Sequence, residues 1–268
     1  MTPVGLWERI YFVAVGLLAF WVGVWGFFAP GRVGKVLPFV VPPLHARFLG
    51  AMYLSGLTFM IGAVLATRWA EVRVVPPITA IWTGGLLVVS LLHLDQFDLG
   101  DPQEQVWFGA YVVYPLIALW LIWRHRGDAD EGAGGAALVP WVRAYLTTQG
   151  ALVTVLALAL LVAPGTMAGA WPWPITRLLA QIYSAPLAAY GVGSLLLARQ
   201  RTWREVRVCV VAMSVFAAGV LAASLLHLDL FSFGDAAAWI WFVALACATV
   251  ALAVLGIRGM TQPKAASA

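Results

Sequence analysis

Long apolar runs separated by short polar stretches dominate this chain. Eight can be counted, at about residues 7–29, 46–67, 74–94, 105–123, 141–163, 177–198, 206–227 and 236–257. Each is long enough to cross roughly 30 Å of hydrocarbon as a helix rising about 1.5 Å per residue. Because a bilayer offers the backbone no hydrogen-bond partners, each run is predicted to be an α-helix. The pattern predicts an all-α integral membrane protein with eight transmembrane helices.

The polar positions between the runs repeat. Residues 90–101 read SLLHLDQFDLGD and residues 224–235 read SLLHLDLFSFGD, with nine of twelve positions identical at an offset of 134. Glu71-Val72-Arg73 and Glu205-Val206-Arg207 share the same offset. We therefore predict two tandem four-helix repeats, residues 1–126 and 141–258. A flexible, Gly- and Ala-rich cytoplasmic linker is expected at 127–140 and a disordered tail at 259–268.

The even number of helices in each repeat fixes the expected symmetry. With four spans apiece, both repeats enter the membrane in the same orientation, so a pseudo-twofold axis along the membrane normal is predicted to relate them. Both copies of His-x-Asp then lie at the same membrane surface, at the end of the third helix of each repeat.

The charged residues add one conclusion to this architecture, which is the orientation of the protein in the membrane. The net charge of +4 could suggest nucleic acid, but only 10% of the residues are charged, and the basic residues are unevenly distributed. In the eight-span topology twelve Lys and Arg residues lie on the side of the termini and four on the other. Basic residues concentrate in cytoplasmic loops, so we expect a multi-pass protein of the cell membrane with both termini cytoplasmic and no nucleic-acid partner.

The predicted outer surface gathers the polar groups that could carry chemistry. One arginine begins the second helix of each repeat, a His-x-Asp ends the third, and a tryptophan follows at the start of the fourth. The resulting candidate ligand-binding residues are Arg47, His93, Asp95, Trp107, Arg177, His227, Asp229 and Trp241. Asp95 and Asp229 are expected to pair with Arg47 and Arg177, because a carboxylate at a helix C-terminus faces the negative end of the helix dipole.

Four interpretations of this set remain open. The arginines could bind a polar or anionic solute, a lipid headgroup or an ion. His93, Asp95, His227 and Asp229 could ligate one divalent metal ion. His93 and His227 could be the axial ligands of a haem. Alternatively, each Arg–His–Asp group simply fastens neighbouring helix ends.

The leading functional hypothesis is a membrane protein that binds or helps to transport such a small ligand. The alternatives are a redox protein or enzyme using haem or metal, and a structural subunit with a partner in a membrane complex. No nucleotide-binding, hydrolase or metalloprotease motif marks the chain as an enzyme. Asp101 is predicted to cap the fourth helix, and His45 and His125 are predicted to be solvated loop residues.

Overall fold

The predicted helical architecture is confirmed in a computed structural model that describes residues 2–35, 41–128 and 132–261. Within those residues the structure has nine α-helices and no β-strand. They are α1 (Leu6–Phe28), α2 (Pro43–Leu65), α3 (Val75–Leu92), α4 (Pro102–Arg124), α5 (Pro140–Val162), α6 (Pro164–Ala170), α7 (Arg177–Ala198), α8 (Trp203–Leu225) and α9 (Ala236–Thr261). All except the short α6 coincide with the predicted apolar runs.

Seven of these helices, within the described part of the chain, are long and apolar enough to cross a membrane. The long helix outside this group is α7, which has 22 residues and carries Gln181, Ser184 and Ser194. It packs against both α5 and α3, and most of its residues are buried. An interior helix can carry small and polar side chains because they contact protein instead of lipid. The protein is thus a polytopic α-helical membrane protein.

The eight long helices form two rows. In one row α1 packs on α2, α2 on α8 and α8 on α9; in the other, α4 packs on α3, α3 on α7 and α7 on α5. Each row therefore combines helices from before and after residue 130. Tyrosine side chains bridge the rows, as where Tyr11 donates a hydrogen bond to the Tyr114 carbonyl and where the hydroxyls of Tyr53 and Tyr111 meet.

Glycines set the closest helix contacts within each row. A Cβ on Gly50 of α2 would lie 2.7 Å from the carbonyl carbon of Gly26 in α1. A Cβ on Gly191 of α7 would lie 2.6 Å from the backbone nitrogen of Thr154 in α5. Both distances are shorter than any side chain tolerates, so glycine at these positions lets the helix backbones approach closely.

One end of the bundle, here called the basic end, is joined by ion pairs and short backbone bridges. Arg73, just before α3, contacts Glu205 of α8 at 2.9 Å, and Arg207 of α8 contacts Glu71 at 2.5 Å. The backbone nitrogen of Val4 donates to Thr67, and that of Leu138 donates to Arg201. These contacts bring together the starts of α1, α3, α5 and α8 and the ends of α2 and α7.

The described part of the predicted linker lies against this end. Ala133 is buried and its backbone nitrogen donates to Glu205, while Arg68 donates to its carbonyl at 2.9 Å. Residues 129–131 lie outside the described residues, as do 262–268 of the predicted disordered tail. The first residues of that tail, 259–261, continue α9.

Candidate functional site

The opposite end, here called the histidine end, contains both His-x-Asp segments. Arg47, in the second turn of α2, is half-buried and its Nη1 donates a hydrogen bond to Nε2 of His227 at 2.5 Å. His227 lies two residues past the end of α8 and immediately precedes a 3-10 turn. The contact therefore joins a helix from before residue 130 to one from after it.

Burial and the charge on Arg47 together favour the neutral form of this imidazole. Burial lowers the pKa of His227, the adjacent Arg47 cation lowers it further, and Asp229 acts in the opposite direction. Because an arginine can only donate, Nε2 of His227 must be the unprotonated acceptor. His227 is thus a neutral imidazole beside a permanent positive charge.

His93 occupies the corresponding place after α3 but has different partners. Its Nε2 lies 2.5 Å from Oε1 of Gln181 in α7, and its Nδ1 lies 3.2 Å from Nε2 of Gln96. The amide nitrogen of Gln181 donates to the Leu161 carbonyl, which leaves its oxygen to accept from His93. Both ring nitrogens of His93 therefore have protein partners.

The remaining predicted site residues lie apart from this contact. Asp95, Arg177 and Asp229 are exposed, and neither aspartate forms an ion pair with the described arginines. Arg47 bonds to His227 in place of an aspartate; exposed carboxylates are hydrated and need no buried counter-charge. Arg177 lies beside Gly165 of α6.

The proposed metal ligands are not assembled by this fold. Among the described side chains, which include His93, Asp95, His227 and Asp229, no group of three or more His, Cys, Asp or Glu residues is placed to hold a metal ion. The Nε2 atoms of His227 and His93 bond to Arg47 and to Gln181, so these contacts give the metal and haem interpretations no support.

An aromatic cluster fills the centre of the histidine end, and it includes a histidine that was predicted wrongly. His45 is buried, not solvated: its Nδ1 lies 2.5 Å from the hydroxyl of Tyr183, and its ring stacks on that side chain at 6.1 Å. Helix α2 begins at Pro43, three residues before the predicted start, which carries His45 into its first turn. The cluster comprises His45, Phe48, Trp171, Trp173, Tyr183, Phe231 and Trp241.

The two predicted pocket tryptophans make matching hydrogen bonds. Trp107 Nε1 donates to Ser90 Oγ at 3.0 Å, and Trp241 Nε1 donates to Ser224 Oγ at 2.9 Å. Each bond ties the second turn of α4 or α9 to the preceding long helix. Asp101 caps α4 as predicted, accepting from the backbone of Gln103 at 2.8 Å.

No family model, curated protein or solved structure matches this chain. Its chemistry must therefore be inferred from its own geometry. At the histidine end the outstanding feature is a half-buried arginine whose neighbour is an imidazole and not a carboxylate.

The basic end holds a second polar cluster that the sequence did not reveal. His125 was predicted to be solvated, but it is buried between Glu8 and Asp128, at 3.0 Å and 2.7 Å. Its ring stacks on Trp69 with centroids 3.8 Å apart. The acidic partners come from the start of α1 and from the turn after α4, so only the folded chain brings them to His125.

Proposed function

We propose that this chain is an eight-span membrane protein of two tandem four-helix repeats that binds a small anionic group at its histidine end. The positive-inside distribution supports a cytoplasmic location for the basic end and both termini, and thus an outward-facing histidine end. In this topology α7 is the sixth span along the chain, and it brings the number of spans from seven to eight.

Reciprocal contacts support the repeat. The bridge between Pro3 and Arg68 recurs between Ala137 and Thr202, with both partners shifted by 134 residues. The two ion pairs at the basic end each join an arginine of one repeat to the glutamate of the other. The repeat pairs each helix of the first half with one of the second. When each helix is replaced by its counterpart, the row α1–α2–α8–α9 becomes the other row, α5–α7–α3–α4. A pseudo-twofold axis between the rows accounts for all three features.

The Arg47–His227 contact carries the proposal of anion binding. Arg47 is half-buried, and no carboxylate among the described residues forms an ion pair with it. A guanidinium presents five N–H donors in a planar fork that suits carboxylate and phosphate groups. An anion at this position would neutralise Arg47 and would favour protonation of His227, which would add a second donor.

His93 has a different role in this proposal. Because Gln181 and Gln96 engage both of its ring nitrogens, it fastens α3 to α7 and does not contact the ligand. The pseudo-symmetric pair of histidines is therefore functionally divided, with one brace and one binding residue.

Thermal unfolding of the purified protein in a non-ionic detergent tests the anion site. Sodium phosphate should raise the Tm of the wild type in a saturable way, relative to sodium chloride of equal ionic strength, because a ligand that binds only the folded state stabilises it. Arg47→Gln should lose this increase. Arg32→Gln, which removes an exposed arginine at the same end, should keep it.

A second titration distinguishes a lipid headgroup from a free anion as the natural ligand. Phosphatidic acid in mixed micelles should raise Tm where free phosphate does not if the natural ligand is a lipid headgroup, with phosphatidylcholine as the uncharged comparison. An equal response of wild type and Arg47→Gln to both phosphate and phosphatidic acid would refute anion binding at this site.

A further inference from the structure

A small space, here called the central space, lies where α2, α3, α7 and α8 meet. Its volume is ≈ 50 Å³, which is room for a few water molecules. Most of its wall comes from the middle of these helices, within residues 52–59, 78–82, 186–190 and 209–216. The central space therefore lies at the depth of the hydrocarbon core, away from both polar ends of the bundle.

Two polar groups at the wall of the central space have no hydrogen-bond partner among the described residues. They are the hydroxyl of Tyr190 in α7 and the indole N–H of Trp82 in α3. An acceptor borders the same space: Ser55 of α2 donates its proton to the Ala212 carbonyl at 2.7 Å, so its oxygen can still accept one. Polar groups inside proteins nearly always bond to protein or to ordered water, so we expect these two donors to have a partner of the second kind.

The hydroxyls around the neighbouring space, which is bordered by α1 to α4, are paired within the protein. Thr79 and Thr83 donate to carbonyls of their own helix, and the hydroxyls of Tyr53 and Tyr111 bond to each other. Tyr190 does not border that space. An unpaired hydroxyl is therefore a feature of the central space in particular.

We propose that the central space is a binding site for a few ordered water molecules. A water that accepts a proton from Tyr190 or Trp82 can donate to the oxygen of Ser55, which gives it the two or more polar partners that a buried water needs. Because α2 belongs to one helix row and α3 and α7 to the other, such waters bridge the rows at mid-depth. This site is independent of the anion site, because it uses neither Arg47 nor His227.

Hydroxyl-radical footprinting by X-ray radiolysis tests for these waters. The protein is reconstituted into phosphatidylcholine nanodiscs, irradiated and mapped by peptide mass spectrometry; radicals formed from a bound water modify the side chains beside it. Met52 and Met213 border the central space and are only 1% and 5% exposed, yet they should be modified in proportion to dose. Phe12, which is 0% exposed and borders none of the three spaces between the rows, should be modified at least severalfold less after correction for intrinsic reactivity.

Two matched tyrosine variants identify the site. Tyr190→Phe removes the unpaired hydroxyl and keeps the ring, so modification of Met213 should fall severalfold. Tyr11→Phe removes a hydroxyl that donates to the Tyr114 carbonyl outside the central space, so modification of Met213 should persist. If Tyr190→Phe does not fold, Ala189→Val, which adds two methyl groups at the wall of the central space, should have the same effect.

Two results overturn the proposal. One is modification of Met52 and Met213 in the wild type that is no greater than that of Phe12. The other is equal modification of Met213 in the wild type and in the folded variant that removes the hydroxyl or fills the space.

Discussion

At the histidine end, the guanidinium of Arg47 contacts the imidazole of His227, and this contact affects how His227 responds to pH. A neighbour that can only donate hydrogen bonds excludes a proton from the facing nitrogen. Protonating His227 would place two cations in contact at a half-buried position. The contact is therefore stable only while the histidine is neutral.

Acidification should weaken the fold through this residue. The pKa of His227 is lower in the folded than in the unfolded chain, so between the two values the unfolded chain binds more protons. The stabilisation is thus complete above the unfolded value of about 6.5 and is lost as the pH falls towards the folded value. Tm measured from about pH 7.5 down to about pH 5 should fall less for His227→Gln than for the wild type. Identical pH profiles would contradict this assignment.

The partner of Arg47 could not be predicted from the sequence, although both residues stood out there. The positions of Arg47 and His227 at helix ends follow from hydropathy alone. Which of them touch depends on α8, and not α3, standing beside α2. Whether Arg47 contacts an aspartate or a histidine therefore depends on helix packing, which a hydropathy pattern does not predict.

Among the helices, close packing depends on positions where any side chain is too large. Gly50→Ala should destabilise the protein by about 1–3 kcal/mol, because the added methyl group meets the α1 backbone and the helices must separate. Gly109→Ala is the matched control: its added methyl group points into open space, and it should change stability by at most about 1 kcal/mol in the favourable direction. Unfolding in denaturing detergent measures both, and equal stabilities of the two variants would refute a tight α1–α2 contact.

The start of α4 was predicted by its cap, because Asp101 precedes Pro102 in the first turn of that helix. The start of α2 was predicted less well, since Pro43 begins that helix three residues before the apolar run. This shift matters chemically, because it buries His45. The short α6 was missed because its seven residues, Pro164 to Ala170, are too few to show a helical period.

For the molecule as a whole, the location of Asp229 distinguishes eight spans from seven. In a variant without Cys209 and Cys247, a single cysteine replaces Asp95, Asp229 or Arg126, all of which are exposed. A membrane-impermeant maleimide should label the first two in intact cells and the third only after lysis. If α7 did not cross the membrane, Asp95→Cys and Asp229→Cys would be labelled from opposite sides.

In the proposed two-repeat arrangement, the contacts of the basic end recur and those of the histidine end do not. Arginine–glutamate pairs and backbone bridges recur at the basic end with the same spacing. At the histidine end His227 and His93 have unlike partners, an arginine and a glutamine. This divergence was not visible in the repeated His-x-Asp segments, because those segments are nearly identical and the difference lies in what they contact.

The alternation of helices in each row also constrains how the chain is made. When residue 128 has left the ribosome, α2 and α3 lack their later neighbours α8 and α7, which begin only at Trp203 and Arg177. Until the second half arrives, the faces of α2 and α3 that α8 and α7 later cover have no partner from this chain.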